Sequence, residues 1–235
     1  MATACFLAMT AAEISGAAAL PPRAAWMSCR FSLYSRGLSG LPQALPPGSV
    51  VVLDDQNPFF DHDPDRIAGE LAACVRDTGA WGVLLDFQRP GVDEVQALAE
   101  QLCSDLPCPV AVTAAYAKGL RCPVFLPPLP CHVPLADWLA PWAGRETWLE
   151  LALDAQTVTL TDKGASFVPG EPGDGGFRDE RLHCHYTVAV EEDRAVFSLW
   201  RTAEDLTGLL KDADRLGVKA AVGLYQELGL FAQSL

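Results

Sequence analysis

Thr78-Gly79-Ala80-Trp81-Gly82-Val83-Leu84-Leu85-Asp86-Phe87-Gln88 decides the fold. A glycine that stops a helix leads straight into an almost wholly apolar run, and polar side chains appear only at its end. A run apolar at every position is covered on both faces, the habit of a parallel strand lying between layers of helix. Upstream, Asp63 is placed to cap a helix, Pro64 suits its first position, and Ile67, Leu71, Cys74 and Val75 repeat on one face until Gly79. Before that helix, Val50-Val51-Val52-Leu53 forms a β-branched strand that opens into the polar loop Asp54-Asp55-Gln56-Asn57-Pro58. Downstream, a helix from about Asp93 carries Val95, Leu98, Ala99 and Leu102 inward, and Pro109 to Thr113 is the next strand. This β-α-β-α-β order predicts right-handed crossovers and one parallel sheet, open or closed.

Farther out, the pattern loosens. Pro123 to Leu126 reads as a strand broken by Pro127-Pro128-Leu129-Pro130, and Leu135 to Trp142 as one or two helical turns. Trp148–Leu153 and Gln156–Thr161 read as a hairpin joined at Asp154-Ala155, and a second alternating pair, Tyr186–Val190 and Ala195–Leu199, flanks Glu191-Glu192-Asp193. Thr202 then caps a helix with Leu206, Leu209, Leu210, Ala213 and Leu216 on its core stripe, Gly217 stops it, and Val218–Tyr225 is the last strand. A length of 235 residues is close to the roughly 250 of one eight-stranded α/β barrel. The expected fold is therefore α/β: a small or incomplete TIM-like (β/α) barrel, a single domain over 1–235, with antiparallel hairpins inserted at about 147–200.

Composition narrows the partners. A net charge of -13 repels nucleic-acid backbones and anionic membranes, whereas a neutral ligand such as a sugar is not repelled. The Ala-rich stretch Met1–Leu20 has no basic residue before its apolar part and contains Glu13, which disfavours a signal peptide, and no run approaches the ~20 apolar residues of a membrane span. Eight cysteines without a Cys-x-x-Cys pair suggest buried thiols in a reducing compartment, hence a cytoplasmic protein. His183-Cys184-His185 matches no zinc spacing, so neither metal nor other cofactor is expected.

In a parallel α/β architecture the chemistry gathers at the carboxyl ends of the strands. The residues there are Asp54, Asp55, Gln56 and Asn57, then Asp86 and Gln88, then Tyr116, then Tyr225, Gln226 and Glu227. Each has a plain alternative: the aspartates can satisfy turns, Gln88 can bond loop backbone, and the tryptophans can simply pack.

These two stretches, Thr78–Gln88 and the tail from Ser198-Leu199-Trp200 to Glu227-Leu228-Gly229, resemble family 18 glycoside hydrolases, especially small bacterial members acting on N-acetylglucosamine polymers. The first resembles the passage ending in that family's D-G-x-D-x-D-x-E signature. Gly82 and Asp86 are kept, Trp81 and Leu84 replace two aspartates, and Gln88 stands in place of the catalytic glutamate. The resemblance implies a glutamate that protonates the glycosidic oxygen and an aspartate, here Asp86, that positions the substrate's acetamido group. A glutamine keeps the shape but has no proton to give. The expectation is a catalytically inactive glycan-binding or interaction protein, with Asp86 and Gln88 at the degenerate catalytic position and Asp54, Asp55, Tyr116, Tyr225 and Glu227 as ligand contacts. The alternatives are an active glycosidase drawing its acid from Asp55, Glu150 or Glu227, and an unrelated α/β protein in which Asp86 and Gln88 are structural.

Overall fold

Apolar runs that turn polar only at one end are strands sharing a single wet rim. The computed structural model, which describes residues 3–17, 20–89 and 91–229, closes them into a barrel. Positions 1–2, 18–19, 90 and 230–235 of the 1–235 span lie outside the described residues. In chain order the elements are β1 (Ala4–Met9), α1 (Ala11–Gly16), β2 (Ala24–Phe31), β3 (Leu38–Ser39), β4 (Val50–Asp54), α2 (Pro64–Thr78), β5 (Gly82–Asp86), α3 (Asp93–Asp105), β6 (Val110–Thr113) and β7 (Val124–Leu126). They continue with α4 (Leu135–Leu139), β8 (Thr147–Leu151), β9 (Ala155–Thr161), β10 (Gly164–Pro169), β11 (Phe177–Asp179), β12 (Cys184–Val190), β13 (Arg194–Trp200), α5 (Ala203–Arg215), β14 (Ala220–Leu224) and α6 (Tyr225–Leu228). Strands β1, β2, β4, β5, β6, β7, β8 and β14 pair in parallel in that order, and β14 returns to β1. Eight parallel strands thus close, and β3 pairs antiparallel with the end of β2.

The barrel is complete because two of its strands, β1 and β2, lie in the first fifty residues, where the sequence pattern marks none. β1 is apolar throughout but one-third alanine, a residue with little β propensity. In β2 the register shifts between Trp26 and Cys29, which breaks the period by which a strand is recognised. A second correction concerns the hairpin expected across Asp154-Ala155. Thr147–Leu151 is barrel strand β8, parallel to β7 and β14, and β9 pairs with β10 and β13 instead. The reason is burial: four of the five residues of β8 are buried, so the strand is covered on both faces. The insertion therefore begins at Ala155, and β9 to β13 form their own five-stranded antiparallel sheet, in which the β12–β13 pair follows the sequence reading.

Local chemistry sets the longer helices. Asp63 accepts the Arg66 N–H at the start of α2, Pro64 opens it, and Gly79 ends it in the left-handed conformation at φ 68°. Thr202 and Asp205 form a reciprocal capping box on α5. Inside the barrel Phe6, Val52, Leu84, Phe125, Trp148 and Val222 fill the lumen. Outside it, one apolar layer joins Ile67, Leu71, Leu98 and Leu102 of α2 and α3, and another joins Leu206 and Leu209 of α5 to Leu149 and Leu151. The antiparallel sheet docks through Val158, Cys184 and Leu199 on Cys131, in the loop after β7. All eight cysteines are free thiols. Among the described residues no helix is long and apolar enough to cross a membrane.

Candidate functional site

Side chains alternate in and out along each strand, so the parity that sends Val52, Leu84 and Trp148 into the lumen also sends Asp54, Asp86 and Glu150 toward it at the carboxyl rim. Asp54 and Asp86 are register partners on β4 and β5. Asp54 is buried, its Oδ2 lies 3.5 Å from Arg30 Nη2 on β2, and its Oδ1 accepts the Gln56 N–H at 3.0 Å. Burial raises the Asp54 carboxyl above its usual value, against the Gln56 hydrogen bond and the Arg30 charge. Asp86 is half-buried, and the Gln88 amide Nε2 donates to its Oδ1. Desolvation raises Asp86 as well, against that hydrogen bond, with Asp54 and Asp55 adding repulsion.

Glu150, from β8, has its carboxyl pushed up to about 7, first by desolvation and then by the charges of Asp86 and Glu227. It therefore holds a proton through much of the range below neutrality. Glu150 and Asp86 share a small cavity of about 40 Å³ with Met27, Leu84, Phe125 and Leu224. Glu150 also lines a neighbouring cleft of about 370 Å³ with Gln88, Thr113, Phe125, Pro127 and Pro128. Asp86, Gln88 and Glu150 meet at this mouth beside Thr113, whose hydroxyl donates to the Phe87 carbonyl, an arrangement able to hydrogen-bond a hydroxyl- and amide-bearing ligand as donor and as acceptor.

The other expected ligand contacts are placed differently. Asp55 is buried, and its two oxygens accept the backbone N–H groups of Gln88 and Arg89, each at 2.9 Å. It holds the loop after β5. Tyr116 is buried, its ring set edge-on against Phe87, and its hydroxyl donates to the Arg89 carbonyl. Glu227 Oε2 accepts the Leu153 N–H at 3.1 Å and secures the loop after β8. Tyr225 is half-buried at the start of α6, packed on the outer apolar layer. None of these four lines the cleft or the small cavity. Arg30, Thr113 and Phe125 escaped the sequence reading. Arg30 sits on an unrecognised strand, and Thr113 and Phe125 would have followed from carrying the inward parity to the last residue of β6 and the middle residue of β7. Among the described residues no group of three or more His, Cys, Asp and Glu side chains is arranged to hold a metal ion.

No protein-family model matches the sequence, and no curated protein sequence is significantly similar to it. Solved structures do match. The spore cortex-lytic enzyme SleL of Bacillus cereus superposes with a TM-score of 0.57 at 9% identity, over 94% of this chain and 70% of that one. The fold is that of a family 18 glycoside hydrolase-like TIM barrel. A GH18 chitinase from Cycas revoluta in complex with (GlcNAc)3 matches this barrel at TM-score 0.54 and 13% identity, over 94% of each chain. A class V chitinase from Nicotiana tobaccum, a glutamate-to-glutamine mutant in complex with NAG4, matches it at TM-score 0.58 and 9% identity, over 95% of this chain and 93% of that one.

Proposed function

We propose that this protein binds an N-acetylglucosamine-containing glycan at the mouth formed by Asp86, Gln88 and Glu150, and does not hydrolyse it. The observation that carries this reading is the Gln88 amide bonded to Asp86 at the end of β5, where the family pattern has its proton donor. An amide can donate a hydrogen bond to a sugar oxygen but cannot protonate a leaving alkoxide, and losing a general acid removes about 10²- to 10⁴-fold of rate. That the tobacco enzyme, with a glutamine put in place of a glutamate, holds a tetrasaccharide supports binding without turnover at such a site.

A second reading has its own observation. Glu150, held protonated to about pH 7 at the same mouth, has the charge state of a general acid. One experiment separates the two: titration of N-acetylglucosamine tetramer by calorimetry, beside a reducing-end assay on the same sugar. Binding that weakens at least tenfold in Asp86→Ala, with no turnover above background, is the expected result. Turnover that disappears in Glu150→Gln would replace the binding reading with hydrolysis, and absence of any binding would overturn both.

A further inference from the structure

The opposite end of the barrel is built unlike a closed one. Barrel lumens are normally filled by stacked layers of bulky side chains. Here the outermost inward positions at the amino-terminal end, two residues before Ala25, Val50, Ala111 and Trp148, are Arg23, Gly48, Pro109 and Glu146, with Ala4 on β1. Three of those five are small or cyclic and cannot reach the axis. The result is a cup of about 430 Å³, within the roughly 300–1,000 Å³ of small-molecule sites.

Its floor is aromatic. Trp81 stacks on Trp148 with centroids 5.1 Å apart and on Phe6 at 5.6 Å. Trp148 and Phe6 are buried, whereas Trp81 keeps 36% of its surface exposed. Gly82 lets β5 lie close to the chain entering β6 beneath this stack: a Cβ there would lie 2.8 Å from the Pro109 carbonyl oxygen. The rim carries two cations, Arg23 and Lys219, and one carboxylate, Glu146, which accepts the Trp148 indole N–H through Oε1 at 3.2 Å.

The geometry points to a second ligand site at this end, for a sugar acid of monosaccharide size. The part of the Trp81 ring left exposed suits the C–H face of a pyranose, and two cations on the rim of a protein of net charge -13 suit a carboxylate. Glu146, exposed at the rim, leaves its second oxygen free to accept from ligand hydroxyls, which a sugar acid carries and benzoate lacks. This site is independent of the glycan reading for the opposite mouth.

Sodium glucuronate is the probe, titrated by calorimetry with glucose and benzoate as comparators. Glucuronate should bind at least fivefold more tightly than either, and the Arg23→Glu/Lys219→Glu double variant should weaken it at least tenfold. Asp86→Asn, at the other end, should leave its affinity unchanged. Should the double variant fail to fold, indole N–H resonances of the unmodified protein serve instead, with the Trp81 signal assigned by Trp81→Phe: glucuronate should shift that signal most. Glucuronate binding no tighter than glucose, binding indifferent to the charge reversal or to Trp81, or binding lost in Asp86→Asn would each overturn the site.

Discussion

A carboxylate at the end of a barrel strand serves either the chain or a ligand, and counting its hydrogen bonds separates the two. Asp54 and Asp55 are neighbours that the sequence cannot tell apart, yet Asp55 gives both oxygens to backbone N–H groups more than thirty residues away. Replacing Asp55 with Ala leaves two partly buried N–H donors without an acceptor, so it should cost about 1–2 kcal/mol, seen as a lower urea midpoint. Glu150 makes the opposite prediction. Its folded value of about 7 lies above the usual 4.5, so the folded state binds the extra proton and the linked stability is complete below about pH 4.5. That stability is lost as pH rises toward and through 7. Glu150→Gln should therefore flatten the fall in stability between pH 5 and 7.5 and be more stable than the unmodified protein at pH 8, by roughly 1–3 kcal/mol. Equal pH slopes in parallel urea titrations of the two proteins would refute the shifted carboxyl.

Between residue and barrel lies the joint where the antiparallel sheet meets α5. Asp205 is fully buried, and it caps α5 with Thr202 while accepting from Arg178 Nε at 3.0 Å and pairing with His185 Nδ1 at 2.9 Å. Burial works against its charge, but hydrogen bonds from Thr202 and His185 outweigh it and hold the carboxyl below its usual value. Asp205→Ala should cost about 2–4 kcal/mol by stranding those partners. Hydrogen exchange should show β11 to β13 losing protection before the barrel strands. The cap itself was legible, since Thr202 with acidic residues in the first turn is a local pattern. The partners were not, because Arg178 and His185 reach Asp205 only once the sheet folds back. The same division explains β8: Leu149-Glu150-Leu151 alternates like a hairpin strand when read alone, and only the neighbours β7 and β14 reveal that both faces are covered.

At the scale of the whole molecule, closure is the property that matters, and it rests on β1. This strand pairs with β14 on one side and β2 on the other, so it is the seam of the barrel. It also serves two cores at once: Phe6 and Ala8 enter the lumen, while Leu7 and Met9 join the layer under α5. The alternation around Trp81 made a parallel sheet legible, but whether that sheet closed depended on this alanine-rich strand, whose pattern is ordinary. Removing residues up to Met9 would leave two long unpaired strand edges and an open lumen, which is the condition for edge-to-edge association. The β9–β10 hairpin offers the control, because every residue of β10 is exposed and it pairs only with β9. Replacing residues 162–169 by a short glycine-containing turn should leave the protein monodisperse in sedimentation, with a melting midpoint within a few degrees of the parent. The truncation to residue 10 should give insoluble or aggregated protein under the same conditions. If the truncated chain instead stays monomeric and melts cooperatively near the parent midpoint, β1 is not the closing strand and the barrel is held by its seven remaining strands alone.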